Sequence, residues 1–431
     1  MGIVRSLKAI AVILSTVTLC GHTTPAEAIE FEFGFTEGTS DAVIDGFNQA
    51  GDLWSSILVD DITVNLDVQF GALNSPSLGR FSPVRVNVGY RNFVRALDGD
   101  ATSINDPIAV QNLPKSANFD LLVDAELSLL INGTRNNPNG AGSSVPYLDA
   151  DGDCNNRSIR ITRANAKALG LPSTGTQNCA PSAFNTSTTL SDGTVQLNSL
   201  FAWDFDRSDG VDSGKFDFVG VAAQGIGTAL GFISGVDVLD FNSPLTTSEG
   251  SFFFNDSQFP FVSSVDLFRF SADSVAASEE TQAVSVIDWT TGRTVSNGQE
   301  VDKYFSIDGG QTKIASFSTG VRTGDGQRAS SWKADEITGN TVGILEPTPA
   351  PGQKLGITAT DRLLFDVIGY DIAVNQPSGG DGGNDNGGFG GGSDGGEFPE
   401  EPVSVPEPTS GLLLGLGFAI ALKYRQKRQS R

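Results

Sequence analysis

Gln224 and Thr228 stand four residues apart on a segment, 215–235, that reads as a glycine-dotted helix. Side chains at that spacing share one helical face, the arrangement by which a helix offers two ligands to one metal ion. The residue types do not suit the task. An amide oxygen and a neutral hydroxyl are weak zinc ligands beside imidazole, thiolate or carboxylate. Gly225, next to Gln224, has no carboxylate to take a proton from a bound water. The sole histidine, His22, lies in a stretch expected to be removed on export. No zinc and no catalytic residue are therefore expected at Gln224, Gly225 and Thr228, and a Ser–His–Asp arrangement is excluded with the histidine. No Ser-x-x-Lys stands in a convincing context. Gly225 and Gly227 would each weaken a helix by about 1 kcal/mol against alanine. The segment must therefore bury Val219, Val221, Ile226, Leu230 and Phe232 to persist.

Two aspartate clusters suggest a different cation. Asp149, Asp151 and Asp153 place hard oxygens at alternate positions around Gly152, as calcium prefers, although Arg160 stands where an EF-hand loop needs its closing glutamate. Asp204, Asp206, Asp209 and Asp212 form a second cluster, with the spacing of no standard loop. Asp-Gly runs also make turns unaided, so structural calcium and a plain turn are both open at each cluster. Asp237 and Asp240 read as leftover ligand positions or, preferably, helix-end turn residues. Cys154 and Cys179 are the pair left after export and are expected to form a disulfide in an oxidising compartment, contributing about 3 kcal/mol. Trp54, Trp203, Trp289 and Trp332 are expected in the core rather than on a sugar platform.

These residues must be positioned by a body of mixed elements. A strand at 29–33 precedes an amphipathic helix that Asp41 can cap, and 62–70 alternates as a half-buried strand does. Residues 119–133 fit either buried strands or a short helix. A strand at 159 enters a helix that stops at Gly170 and Pro172, and 195–205 reads as one strand. Aromatic, β-prone segments, Ser251 to Phe254 and Val265 to Ser271 among them, fill 250–320. Thr358 and Asp361 form a capping-box start for a last helix. After Asn375, residues 376–404 are Gly- and Asp-rich, too polar to bury a core, and form a flexible tether. The net charge of −23 repels nucleic acid and anionic lipid, so neither is an expected partner.

Both ends look like export signals. Residues 1–28 combine Arg5 and Lys8, an apolar stretch from Ala9 to Cys20 and an A-x-A site at Ala26-Glu27-Ala28, as a secretory signal peptide does. About a dozen apolar residues are too few for a spanning helix, and Leu19 is too large for a lipoprotein signal acting at Cys20. At the far end, Pro406-Glu407-Pro408 precede an apolar run, 411–422, and a basic tail. Residues 405–431 thus resemble the PEP-CTERM sorting signal of bacterial exported proteins. The resemblance implies recognition by an exosortase, transient inner-membrane contact through the short apolar helix 411–422, and release to the cell surface or medium. A permanent anchor is the alternative.

The body, 29–375, resembles a family of exported bacterial metzincin-like zinc metalloproteases. The frame Gln224 to Gly231 aligns with H-E-x-x-H-x-x-G, and Ala229-Leu230-Gly231-Phe232 and Ser234-Gly235-Val236-Asp237 match its surroundings. Asp204 to Gly220, Val265 to Ser271, Tyr304 to Gly310, the segment around Trp332 and Asp366 to Asp371 carry the likeness further. The departures fall on the chemistry. Gln224 and Thr228 replace the histidines and Gly225 the glutamate, while Leu345 in Gly343 to Pro347 stands where a Met-turn methionine is expected. The resemblance implies an α+β fold: a twisted mixed sheet packed with an active-site-type helix and a C-terminal helix, with β-rich insertions. The preferred reading is an exported, exosortase-sorted surface or matrix protein with a catalytically inactive metalloprotease-like domain, binding extracellular polysaccharide or peptide. An active zinc endopeptidase with unrecognised ligands and a calcium-stabilised adhesive protein are the alternatives. A further alternative is that 215–235 is an ordinary glycine-dotted helix that never held a metal.

Overall fold

The computed structural model describes residues 28–114, 126–140, 143–172, 190–243, 254–281, 283–292, 295–296 and 299–373. The chain divides after Asn375. The proposed signal peptide, the linker and the C-terminal segment lie outside the described residues, apart from Ala28. Among the described residues no helix is long and apolar enough to cross a membrane.

The body is mixed α+β with several small sheets. Strand β1 (Glu30–Phe35) leads into helix α1 (Asp41–Ser55), followed by β2 (Thr63–Gly71), the short β3 (Gly79–Pro83) and, much later, β4 (Gly193–Asn198). These strands form a mixed sheet in the order β1-β2-β4-β3. The two pairings from β1 through β2 to β4 are parallel, and β3 runs antiparallel to β4 at the edge, with Phe81 opposite Val195. Ser40, rather than Asp41, is the residue flanking the start of α1. The segment 195–205 is not one strand. The chain turns after Asn198, and Trp203–Asp204 pairs instead with Phe216–Asp217.

Helix α2 (Phe218–Leu230) is shorter than the 215–235 read from the sequence, because Asp217 caps it through Gly220 N–H at 3.0 Å. It ends at Gly231, whose φ of 151° a side chain rarely adopts. Nearly every residue of α2 is buried, Val219, Val221, Ile226 and Leu230 included. Burying each of these side chains contributes about 1.5–3 kcal/mol, which outweighs the helix penalty of Gly220, Gly225 and Gly227.

Those glycines are what let neighbours approach. A Cβ on Gly227 would lie 2.8 Å from Trp54 of α1, and a Cβ on Gly220 2.7 Å from Leu355. The Trp54 indole N–H donates to Ala223 O at 2.9 Å, so α1 and α2 are pinned ring to backbone. Helix α3 (Val236–Asn242) follows closely. Asp237 and Asp240 therefore lie inside a helix rather than in a turn. Helix α4 (Ala359–Val367) begins with the expected Thr358–Asp361 capping box and packs Phe365 edge-on against Trp54 at 4.7 Å.

The remaining segments surround this centre. Residues 129–131 resolve as a strand pairing with 147–149 and 287–288, whereas 119–125 lie outside the described residues. Val265–Phe268 forms a tight 3-10 turn, with only Arg269–Phe270 extended. Trp332 stacks on Phe317 at 4.9 Å and meets Phe232 edge-on. All four tryptophans are buried. Cys154 is disulfide-bonded; Cys179, its expected partner, lies outside the described residues.

The substitution Gly227→Ala sets helix propensity against sterics. Alanine is favoured by about 1 kcal/mol in a helix, but overpacking a rigid core costs about 1–3 kcal/mol, and Trp54 is held by its hydrogen bond. A net loss of stability is expected in urea denaturation. A gain would mean that Trp54 is free to shift.

Candidate functional site

A cleft of about 930 Å³ opens along α2, between β3 and the loop 345–349. Gln224 and Thr228 both line it, so the face predicted from their spacing does look into a concavity. Gly225 does not face it in the same way. A Cβ there would come within 2.6 Å of Val195 Cγ1 and 3.0 Å of the Phe81 ring, so this position is closed by the sheet. A second hollow of about 550 Å³ lies beside β1 and α1, with only Glu30 and Asp52 as charged lining groups. The cleft is the stronger candidate because it gathers ionisable groups from four separate segments.

Gln224 is tied down by the loop across from it. Its Nε2 donates to Ile344 O at 2.7 Å and to Glu346 O at 2.9 Å, one carbonyl on each side of Leu345. Both amide hydrogens are thereby used. Thr228 donates its hydroxyl back to Gln224 O at 3.0 Å, a local bond within the helix. Leu345 is buried, with Cδ2 3.2 Å from the position of a Gly227 Cβ. With Nε2 committed to the loop, the groups left are the Gln224 amide oxygen and a neutral hydroxyl, both weak zinc donors.

Asp361 holds the loop from the other side. This fully buried carboxylate accepts from Ile344 N at 2.8 Å, Trp332 Nε1 at 2.8 Å and Thr358 N at 2.8 Å. Gly343 must be glycine, since a Cβ would lie 2.3 Å from Asp361 Oδ1. Burial, opposed by these hydrogen bonds, pushes Asp361 up to about 6. Glu346 sits on the cleft wall, where burial first and then Asp335 push it up to about 7. Its oxygens accept from Asp335 N, Thr348 N and Thr348 Oγ1.

Helix α3 supplies anchors rather than ligands. Asp237 accepts from Ala329 N at 2.7 Å and Ser330 Oγ at 2.5 Å, fixing the segment that carries Arg328 onto the rim. Asp240 accepts from Arg322 N and Thr323 N. Arg80, Arg85 and Arg328 also line the cleft. Nothing in the sequence singled them out, since they come from widely spaced segments and sit in no common motif.

The aspartate clusters are folded onto their own backbone. Asp149 is buried and accepts from Asn155 Nδ2 at 2.6 Å, and burial pushes it up to about 6. Asp151 accepts from Asp153 N, and Asp153 caps the helix Cys154–Arg157. Asp204 accepts from Asp206 N and Asp212 N, and Asp206 from Ser208 N, while Asp212 pairs with Lys215. Asp209 joins neither contact set. Among the described residues no group of three or more His, Cys, Asp or Glu is placed to hold a metal ion. The geometry supports the turn reading of both clusters.

Residues 404–428 match the family model of the PEP-CTERM protein-sorting motif. The motif supports an exported protein, recognised by an exosortase and anchored transiently in the membrane. No curated protein and no solved structure matches the chain.

Two predictions follow from the loop and its acids. Gln224→Ala would strand two carbonyls, at a cost of about 1–3 kcal/mol for each left buried without a partner; urea denaturation should show the loss, and an unchanged midpoint would mean that water replaces the amide. Asp60, raised to about 7 by burial and then by Asp371 and Asp100, joins Glu346 and Asp361 in binding protons more tightly when folded. Such groups favour the folded state fully below about pH 4, and the benefit is lost as pH climbs through about 6 to 7. The melting temperature should therefore fall between about pH 5 and 8, and Glu346→Gln should flatten the upper part of that fall.

Proposed function

We propose that this exported, exosortase-sorted protein carries a catalytically silent metalloprotease-like body that binds a ligand in the cleft along α2. The observation that carries the proposal is the use made of Gln224. At the position of a first metal-binding histidine, the side chain instead brackets the loop 343–347 with both amide hydrogens. The neighbouring base position, Gly225, has Val195 and Phe81 in the space a glutamate would need. Losing a general base alone typically lowers a rate by about 10²–10⁴, and here the nucleophile-generating metal has no ligand set either.

What remains suited to function is the concavity itself. It keeps an apolar floor of Val221, Ile233 and Leu345 beside the edge strand β3. An extended peptide can add to a free strand edge through its main chain, which favours peptide over other ligands. The location, cell surface or medium, follows from the sorting motif.

Zinc analysis of the purified protein after incubation with zinc and dialysis should show only substoichiometric metal, and peptide cleavage should be absent and insensitive to EDTA. Stoichiometric, tightly held zinc with EDTA-sensitive cleavage would overturn the proposal in favour of an active endopeptidase. A melting temperature raised by calcium would instead favour the calcium-stabilised adhesive reading. Introducing the base alone, by Gly225→Glu, should lower stability in urea denaturation, because the side chain collides with Val195 and Phe81.

A further inference from the structure

The rim of the cleft has the opposite sign to the rest of the protein. In a chain of net charge −23, Arg80, Arg85 and Arg328 stand exposed along one concavity. Several basic side chains elsewhere are paired with acids, as in Arg157–Glu126, Lys167–Asp192 and Arg207–Asp217. On the rim, Arg85 and Arg328 are close enough to repel one another. Asp237 offsets part of that repulsion, and an anion bound between the two arginines would offset more. The two acids of the cleft do not fill this role fully. Asp237 attracts both arginines, yet its oxygens are taken by Ala329 N–H and the Ser330 hydroxyl. The carboxylate of Glu346 is turned onto the backbone N–H groups of Asp335 and Thr348.

Shape adds to charge. Strand β3 carries Arg80 and ends just before Arg85, and among the described residues it pairs with β4 alone. Its other edge can take one more extended chain. Alternate side chains of such a chain point to opposite faces, so one set could meet the apolar floor while the other reaches the rim.

We propose that the cleft selects an extended peptide segment bearing acidic side chains, laid beside β3 with its carboxylates on Arg80, Arg85 and Arg328. This rests on the binding reading above and adds the class of ligand. Arginine suits the role because its planar guanidinium can hold a carboxylate through two parallel hydrogen bonds.

The test uses the full-length protein in a nonionic detergent and a fluorescein-labelled octapeptide of alternating valine and glutamate. A valine–glutamine octapeptide and polygalacturonate serve as comparisons. The glutamate peptide is expected to saturate at one site and to bind about tenfold tighter than its glutamine counterpart, with affinity falling as salt screens the exposed pairs. Arg85→Gln combined with Arg328→Gln should weaken it about tenfold, with the far-UV circular dichroism spectrum showing the fold intact. Should that double variant not fold, Arg80→Gln, on the strand and away from Asp237, should still weaken binding about threefold. Equal affinity for the glutamate and glutamine peptides overturns the acidic selection and leaves peptide binding standing. Failure of either peptide to bind overturns both. Polygalacturonate binding where the glutamate peptide does not also overturns the proposal and assigns the rim to an acidic saccharide.

Discussion

The Gln224 side chain joins the central helix to the loop 343–347, and much of the surrounding structure is arranged around that junction. Its amide reaches two carbonyls on one side of the loop, while the buried Asp361 carboxylate takes the Ile344 N–H on the other. A loop whose main-chain groups would otherwise be stranded under the cleft is thereby satisfied from both helices. Burying unpaired backbone polar groups is costly, so the loop, α2 and α4 are constrained to one arrangement.

The same constraint bears on function. The amide hydrogens of Gln224 are committed to the backbone, and the neighbouring glycine is closed off by Val195 and Phe81. The space beside Gly225 is occupied by packing. What stays open is the concavity and its basic rim, set against an acidic body.

Much of the fold was legible because it depends on local rules. The strand at 63–71, the helix after Ser40 and the Thr358–Asp361 cap follow from alternation, amphipathic spacing and capping chemistry. The segment 195–205 misled because its apolar residues continue through a turn, which only the pairing of Trp203–Asp204 with Phe216–Asp217 reveals. Asp237 and Asp240 misled similarly: helix-end residues and loop anchors have the same composition, and their partners lie more than 80 residues away.

By itself the sequence determined the residue types on α2, and with them the absence of imidazole and carboxylate from positions 224, 225 and 228. It also determined the sorting motif at 404–428. Tertiary structure decided the rest. It turned Gln224 toward the loop, enclosed Gly225, folded the aspartate clusters onto their own backbone and gathered Arg80, Arg85 and Arg328 on one rim. The physical reason is range: donor chemistry is a property of the side chain, whereas the partner a side chain finds depends on segments far away in sequence being brought within 3 Å.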